Sequence, residues 1–99
     1  MILIADSGAS KTEWACISRQ GGERISFISQ GYNPNYISGE SIVEDIRLNM
    51  PESLPEKEVT EIHFYGAGVT PLQYPFMTET LLKVFGNAET VFIAMDTLA

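Results

Sequence analysis

The sequence is poor in basic residues, has a single cysteine and a single histidine, and contains no long apolar run. Six Lys and Arg residues stand against thirteen Asp and Glu, for a formal net charge of −7. Nucleic-acid phosphates need Lys and Arg, so this balance argues against a nucleic-acid partner. It argues equally against an anionic membrane surface. With Cys16 alone, neither an internal disulfide nor a CxxC metal or redox site can form. Cys16 is expected to pack as a small hydrophobe inside a strand. No stretch approaches the ~20 apolar residues of a membrane-spanning helix. The apolar start, residues 1–5, is too short for a secretory signal and runs straight into Asp6. The cytoplasm is therefore the expected compartment.

What is present suffices for one domain. The chain has 99 residues, 44% of them hydrophobic, which allows a buried core near the lower size limit for comfortable stability. Ile2-Leu3-Ile4-Ala5, ended by Asp6-Ser7-Gly8, reads as a buried strand over 2–5 followed by a turn. Residues 13–18, with Trp14, Cys16 and Ile17, read as a second strand, and 23–30 as a third. Together they form an antiparallel meander. A loop over 31–38 carries Asn33-Pro34-Asn35. Ser38 or Ser41 can cap a helix in which Ile42, Val43, Ile46 and Met50 recur at helical spacing, closed by Pro51 and Pro55. A fourth strand over 59–65 ends at Gly66-Ala67-Gly68. A second helix over 74–85 stops near Gly86, and a fifth strand over 90–94 leads to Asp96.

The order β-β-β-α-β-α-β defines an α/β fold with a mixed sheet. Right-handed crossovers make the first, fourth and fifth strands parallel neighbours. Ligands of such sheets bind outside the carboxyl ends of the strands. Those three ends carry Asp6, then Gly66 with Gly68, then Asp96.

The segment Asp6-Ser7-Gly8-Ala9-Ser10-Lys11-Thr12 has two readings. It can be an ordinary tight polar turn. It can also be a phosphate cradle, with small residues letting backbone N–H groups approach an anion. In that case Ser10 and Thr12 add hydroxyl donors, Lys11 adds positive charge, and Asp6 holds Mg²⁺ through water. It is not a Walker loop, because Ser10 rather than Gly precedes Lys11 and a strand follows. His63 lies mid-strand, away from the three ends, and reads as structural. Trp14 and Phe64 read as packing residues.

The run from Asp6 to Glu13 resembles the first phosphate motif of the actin-like ATPase superfamily, which includes sugar kinases, heat-shock chaperones and actin. Within it the chain looks like the N-acetylglucosamine kinase branch of the BadF/BadG/BcrA/BcrD-type ATPases. Relatives there read Asp-Gly-Gly-Gly-Thr-Lys-Thr, and this sequence substitutes Ser7, Ala9 and Ser10. Three further segments match in order. Gly31-Tyr32-Asn33-Pro34-Asn35 resembles the sugar-contacting loop, Tyr65-Gly66-Ala67-Gly68 the glycine turn facing the cleft, and Ile93-Ala94-Met95-Asp96 the strand end bearing the catalytic Asp.

The resemblance implies a ribonuclease H-like (actin-like ATPase) sheet truncated before its third helix, residues 1–99 being the N-terminal portion of a first lobe without the second. It implies ATP-dependent phosphoryl transfer to a sugar hydroxyl, with ATP, Mg²⁺ and an amino sugar as ligands. Asp96 would be the catalytic base and Asp6 the Mg²⁺ anchor, acting through water. Gly8, Ala9, Ser10, Lys11 and Thr12 would hold phosphate, and Asn33, Asn35, Gly66 and Gly68 would line the sugar side. The fragment alone would be inactive. Sheet surface exposed by the missing helix would favour homo-oligomers. Two alternatives stand beside the kinase: an ATPase that activates a partner enzyme, and an inert truncated module.

Overall fold

The computed structural model describes residues 1–95. Asp96 and the helix start expected over 97–99 lie outside the described residues. The elements are β1 (Ile2–Ser7), β2 (Lys11–Ile17), β3 (Arg24–Gln30), α1 (Gly39–Asn49), β4 (Glu61–Gly66), α2 (Tyr74–Val84) and β5 (Thr90–Met95). Short 3₁₀ turns at Glu56–Glu58 and Pro71–Gln73 lead into β4 and α2.

The five strands form one sheet in the order β3-β2-β1-β4-β5. As the order of elements implies, β1 pairs antiparallel with β2, β2 antiparallel with β3, and β1, β4 and β5 run parallel. The register decides where a site can lie. Ser7 pairs with Gly66 and Gly66 with Met95, so the carboxyl ends of the three parallel strands finish level. Lys11 pairs with Gln30 across the sheet, which brings the start of β2 and the end of β3 to the same rim.

β1 and β2 are longer at this rim than the apolar pattern indicates. β1 continues through Asp6 and Ser7, and β2 begins at Lys11 instead of Glu13. These polar residues have weak intrinsic strand preference, and ladder partners hold them extended. Asp6 is flanked by Glu13 on one side and Tyr65 on the other. The fourth strand starts later than expected, because Val59 closes the 3₁₀ turn before it.

Alternation along the strands sends Leu3, Ala5, Trp14, Cys16, Ile62, Phe64 and Ile93 to one face. There they meet Ile42 and Ile46 of α1, and Met77, Leu81 and Val84 of α2. Each of the Leu, Ile, Val, Phe and Met side chains among them contributes about 1.5–3 kcal/mol by leaving water. Trp14 sits at the centre, stacked on Phe27 with ring centroids 5.3 Å apart. Its indole N–H donates to Ser29 Oγ at 2.9 Å, which satisfies the one polar atom it buries. Cys16 is buried in β2, as its strand position suggests. Ser38, not Ser41, caps α1: its hydroxyl accepts from Ser41 N–H at 3.2 Å.

The opposite face carries no helix among the described residues. Ile4, Ile28, Tyr65 and Phe92 are exposed on it. His63 lies on this face too. It stacks on Phe92 at 5.4 Å and donates from Nε2 to Glu61 Oε2 at 2.6 Å, well below the rim.

Candidate functional site

The hairpin between β1 and β2 turns through residues 8–10, with Gly8 N–H donating to Lys11 C=O at 2.8 Å. Behind this tip lies a buried hydroxyl chain. Tyr32 N–H donates to Ser7 Oγ at 3.0 Å, and Thr12 Oγ1 donates its proton to Gln30 C=O at 2.9 Å. Ser7 and Thr12 hydroxyls are 2.7 Å apart. Since Thr12 has spent its proton on a carbonyl, Ser7 must donate to Thr12. Each polar atom in the chain is satisfied, so the tip is fixed from beneath.

The loop after β3 presses on the same tip. A Cβ placed on Gly31 would fall 2.3 Å from Gly8 O and 2.8 Å from Ala9 O, so glycine alone fits there. The carbonyls of the tip therefore face the loop of residues 31–38. The N–H groups of Ala9 and Ser10 make no hydrogen bond among the described residues. Two consecutive unpaired N–H groups on small residues are the elements of an anion nest.

The turn after β4 completes the cluster. Ala67 N–H donates to Ser7 C=O at 2.8 Å, which ties it to the end of β1. Gly68 has φ +76°, and a Cβ there would lie 2.7 Å from Asn33 Nδ2. Asn33 Oδ1 accepts from both N and Nδ2 of Asn35, each at 3.0 Å. Asn35 Oδ1 in turn accepts from Gln73 Nε2 at 2.7 Å. Three segments far apart in sequence, carrying Gly8, Gly31 with Asn33 and Asn35, and Gly68, thus interlock at the rim.

On the open side of the hairpin, Asp6, Gly8, Ser10, Lys11 and Glu13 line a cavity of about 230 Å³. Asp6 and Glu13 are cross-strand partners, and Lys11 Nζ lies 3.1 Å from Glu13 Oε1. The lysine charge thus offsets a repulsion that would otherwise oppose the pair. Among the described residues no three His, Cys, Asp or Glu side chains are grouped as a metal cage. A Mg²⁺ ion here would fit the alternative arrangement, held by Asp6 through water and by the oxygens of a bound phosphate chain.

Several expected site residues are placed differently from the simple reading. Thr12 is fully buried and its hydroxyl serves the chain under the tip, so it supports the tip from behind and offers no donor at its surface. Gly66 is also buried; a Cβ there would lie 2.6 Å from Val69 Cγ2, so its smallness serves packing. Lys11 is exposed and paired with Glu13. Gly8, Ala9, Ser10 and Asp6 are at the tip and its cavity, and Asn33, Asn35 and Gly68 are brought together. Asp96 lies outside the described residues.

The sequence pattern assigns no role to Glu13, the last residue of the first motif, and does not single out Gln73. Glu13 follows once the hairpin register is known, because Asp6 pairs with it. Gln73 had a local signal: Thr70-Pro71-Leu72-Gln73 is a capping box with proline in the first turn.

A mixed sheet in this order, with both helices on one face and small-residue turns at a shared carboxyl-terminal rim, is part of the actin-like ATPase kinase fold. The chain is similar over 97% of its length to the crystal structure of the putative N-acetylglucosamine kinase from Porphyromonas gingivalis, with 33% sequence identity and a TM-score of 0.77. It spans 34% of that protein's length. No protein-family model and no curated protein matches the chain.

Proposed function

We propose that this chain is the phosphate-loop and sugar-loop portion of an ATP-dependent sugar kinase that acts on an amino sugar, with N-acetylglucosamine the leading candidate. The observation that carries this reading is the interlock of the hairpin tip with the loop bearing Asn33 and Asn35. A phosphate cradle and a carbohydrate loop held in mutual contact are what phosphoryl transfer to a sugar hydroxyl needs. Such catalysis is mostly positioning plus electrostatic stabilisation. The similarity to the putative N-acetylglucosamine kinase from Porphyromonas gingivalis supports the same choice of substrate.

In this reading the N–H groups of Ala9 and Ser10 receive phosphate oxygens, with the Ser10 hydroxyl beside them. Lys11 supplies positive charge at the mouth of the cavity. Asp6 holds Mg²⁺ through water, and the bound nucleotide supplies the phosphoryl group. Asn35 orients the sugar, and Asp96 takes the proton from the attacking hydroxyl as general base. The remaining binding surface for adenosine would come from a second lobe, so residues 1–99 alone are expected to bind nucleotide weakly and to catalyse nothing. Standing alone, the chain is also expected to self-associate through the exposed Ile4, Ile28, Tyr65 and Phe92.

The test is Asp96→Asn in the complete gene product, assayed with ATP and a panel of sugars. Turnover with N-acetylglucosamine should fall by about 10²–10⁴-fold with unchanged thermal stability. Unchanged turnover would remove Asp96 as the base. Absence of any sugar-dependent ADP release in the unmutated protein would remove the kinase reading itself.

A further inference from the structure

The carboxamides at the rim form an ordered relay whose polarity can be deduced. Amide oxygen and nitrogen are told apart by their partners, and here a backbone N–H stands at each end. Thr70 N–H donates to the Gln73 side chain at 3.0 Å, so that atom is the oxygen, Oε1. Gln73 must then turn its nitrogen toward Asn35, where Nε2 donates to Oδ1 at 2.7 Å. With its oxygen so engaged, Asn35 directs Nδ2 to Asn33 Oδ1. The other end agrees: Asn35 N–H donates to the same Asn33 atom at 3.0 Å, which must therefore be oxygen. Both ends demand the same direction for every amide between them.

We propose that Gln73 is a positioning residue for Asn35, and that its donor polarity decides which atoms Asn35 offers to a ligand. The relay consumes one Nδ2–H and one lone pair of Asn35, and leaves the second of each at an exposed side chain. The Asn35 amide thus meets a ligand in one orientation, with its ordering cost already met before binding. Gln73 acts from the 3₁₀ turn that opens α2, 38 residues away in sequence. It does not itself need to touch the ligand. The proposal rests on the sugar-kinase reading for the identity of that ligand, and on the relay alone for the role of Gln73.

Two variants separate positioning from capping. Gln73→Glu keeps an acceptor for Thr70 N–H, so the 3₁₀ turn that leads into α2 stays capped, but has no proton for Asn35 Oδ1. Gln73→Leu loses the contacts to Thr70 and to Asn35 alike. In the complete gene product, Gln73→Glu should raise KM for the sugar about tenfold, the order expected for one lost hydrogen bond. KM for ATP and kcat should change less than about twofold. Gln73→Leu should show the same KM effect together with a lower Tm. If KM for sugar and for ATP rise together, or if Gln73→Glu leaves the sugar KM unchanged, the proposal is overturned.

The relay is also read without activity. In the 99-residue chain, the Asn35 side-chain amide NMR signals should move in Gln73→Glu while the Trp14 indole signal stays in place. Signals of Asn35 unmoved by either variant would overturn the proposal. A gene product that phosphorylates no sugar, with the Asn35 signals moved as stated, fells the sugar reading and supports the relay.

Discussion

Replacing Gly31 by alanine tests the interlock that defines the site. The new Cβ would lie 2.3 Å from Gly8 O, 2.8 Å from Ala9 O and 2.9 Å from Ala9 C. Comfortable separations for such atoms are about 3.5 Å or more. One backbone segment therefore has to retreat by roughly 1 Å. Neither is free to do so. The tip is held by Gly8 N–H on Lys11 C=O, and the loop by Tyr32 N–H on buried Ser7 Oγ. Overpacking of this kind costs about 1–3 kcal/mol, and a strained or broken hydrogen bond adds about 1 kcal/mol. The sum, roughly 2–4 kcal/mol, corresponds to a fall in Tm on the order of 10–25 °C for a domain of this size.

Thermal and urea unfolding followed by the fluorescence of buried Trp14 would measure it. Two controls fix the scale. A Cβ at Gly22 meets no atom within 4 Å, and one at Gly8 meets only Lys11 O at 3.6 Å. Neither residue has a positive φ. Both alanine variants should stay within about 0.5 kcal/mol of the parent. If Gly31→Ala unfolds alongside these controls, the tip and the loop are not in contact and the account of the site collapses.

Two further changes probe the same rim and the open face. Ser7→Ala removes the acceptor of buried Tyr32 N–H and should cost about 1–3 kcal/mol in urea unfolding; a neutral result would mean that the hydroxyl chain carries no structural weight. Glu61 is held below its ordinary pKa of 4.5, chiefly by the hydrogen bond from His63; burial, the next largest effect, opposes this, and the hydrogen bond and charge of Arg19 add to the lowering. A depressed carboxyl pKa means stability that is present above the ordinary value and lost as pH falls through the folded one. The Tm advantage of the parent over Glu61→Gln should thus be full at neutral pH and shrink below about pH 4.5. An advantage that grows toward acid pH would contradict the sign.

How far the sequence reveals this arrangement depends on the range of the interaction. Apolar runs such as residues 2–5, and the helical spacing of Ile42, Ile46 and Met50, report local burial and give the five strands and two α-helices, though not the 3₁₀ turns. The crossover rule then gives the neighbours of β1. Strand ends are less legible, because Asp6, Ser7 and Lys11 are held extended by partners on adjacent strands and not by their own preference. Thr12 reads as a ligand by type, and nothing local reveals that its hydroxyl turns inward to Gln30 C=O. The contact of Gly31 with Gly8 has no signature in either segment. Gln73 sat within a readable capping box, whose second use, as a donor to Asn35, appears only in three dimensions.

Ser7 shows how these levels combine. By type it is a departure from the glycine that the resemblance leads one to expect at this position. In β1 the alternation turns it toward the helices, where a glycine would leave Tyr32 N–H and Thr12 Oγ1 short of a partner. Its hydroxyl instead links β1, β2 and the loop after β3 in one chain of hydrogen bonds. The hairpin tip and the Asn33–Asn35 loop are thereby joined twice, through Ser7 to Tyr32 and through Gly8 to Gly31. Any displacement of the tip by a bound anion has to be transmitted to the loop that carries Asn35, since cores and tight contacts of this kind shift as units. On the proposed kinase reading that connection would couple nucleotide-side and sugar-side binding, so Ser7→Ala should weaken the dependence of one ligand's affinity on the other. Equal coupling in both proteins would place the link elsewhere.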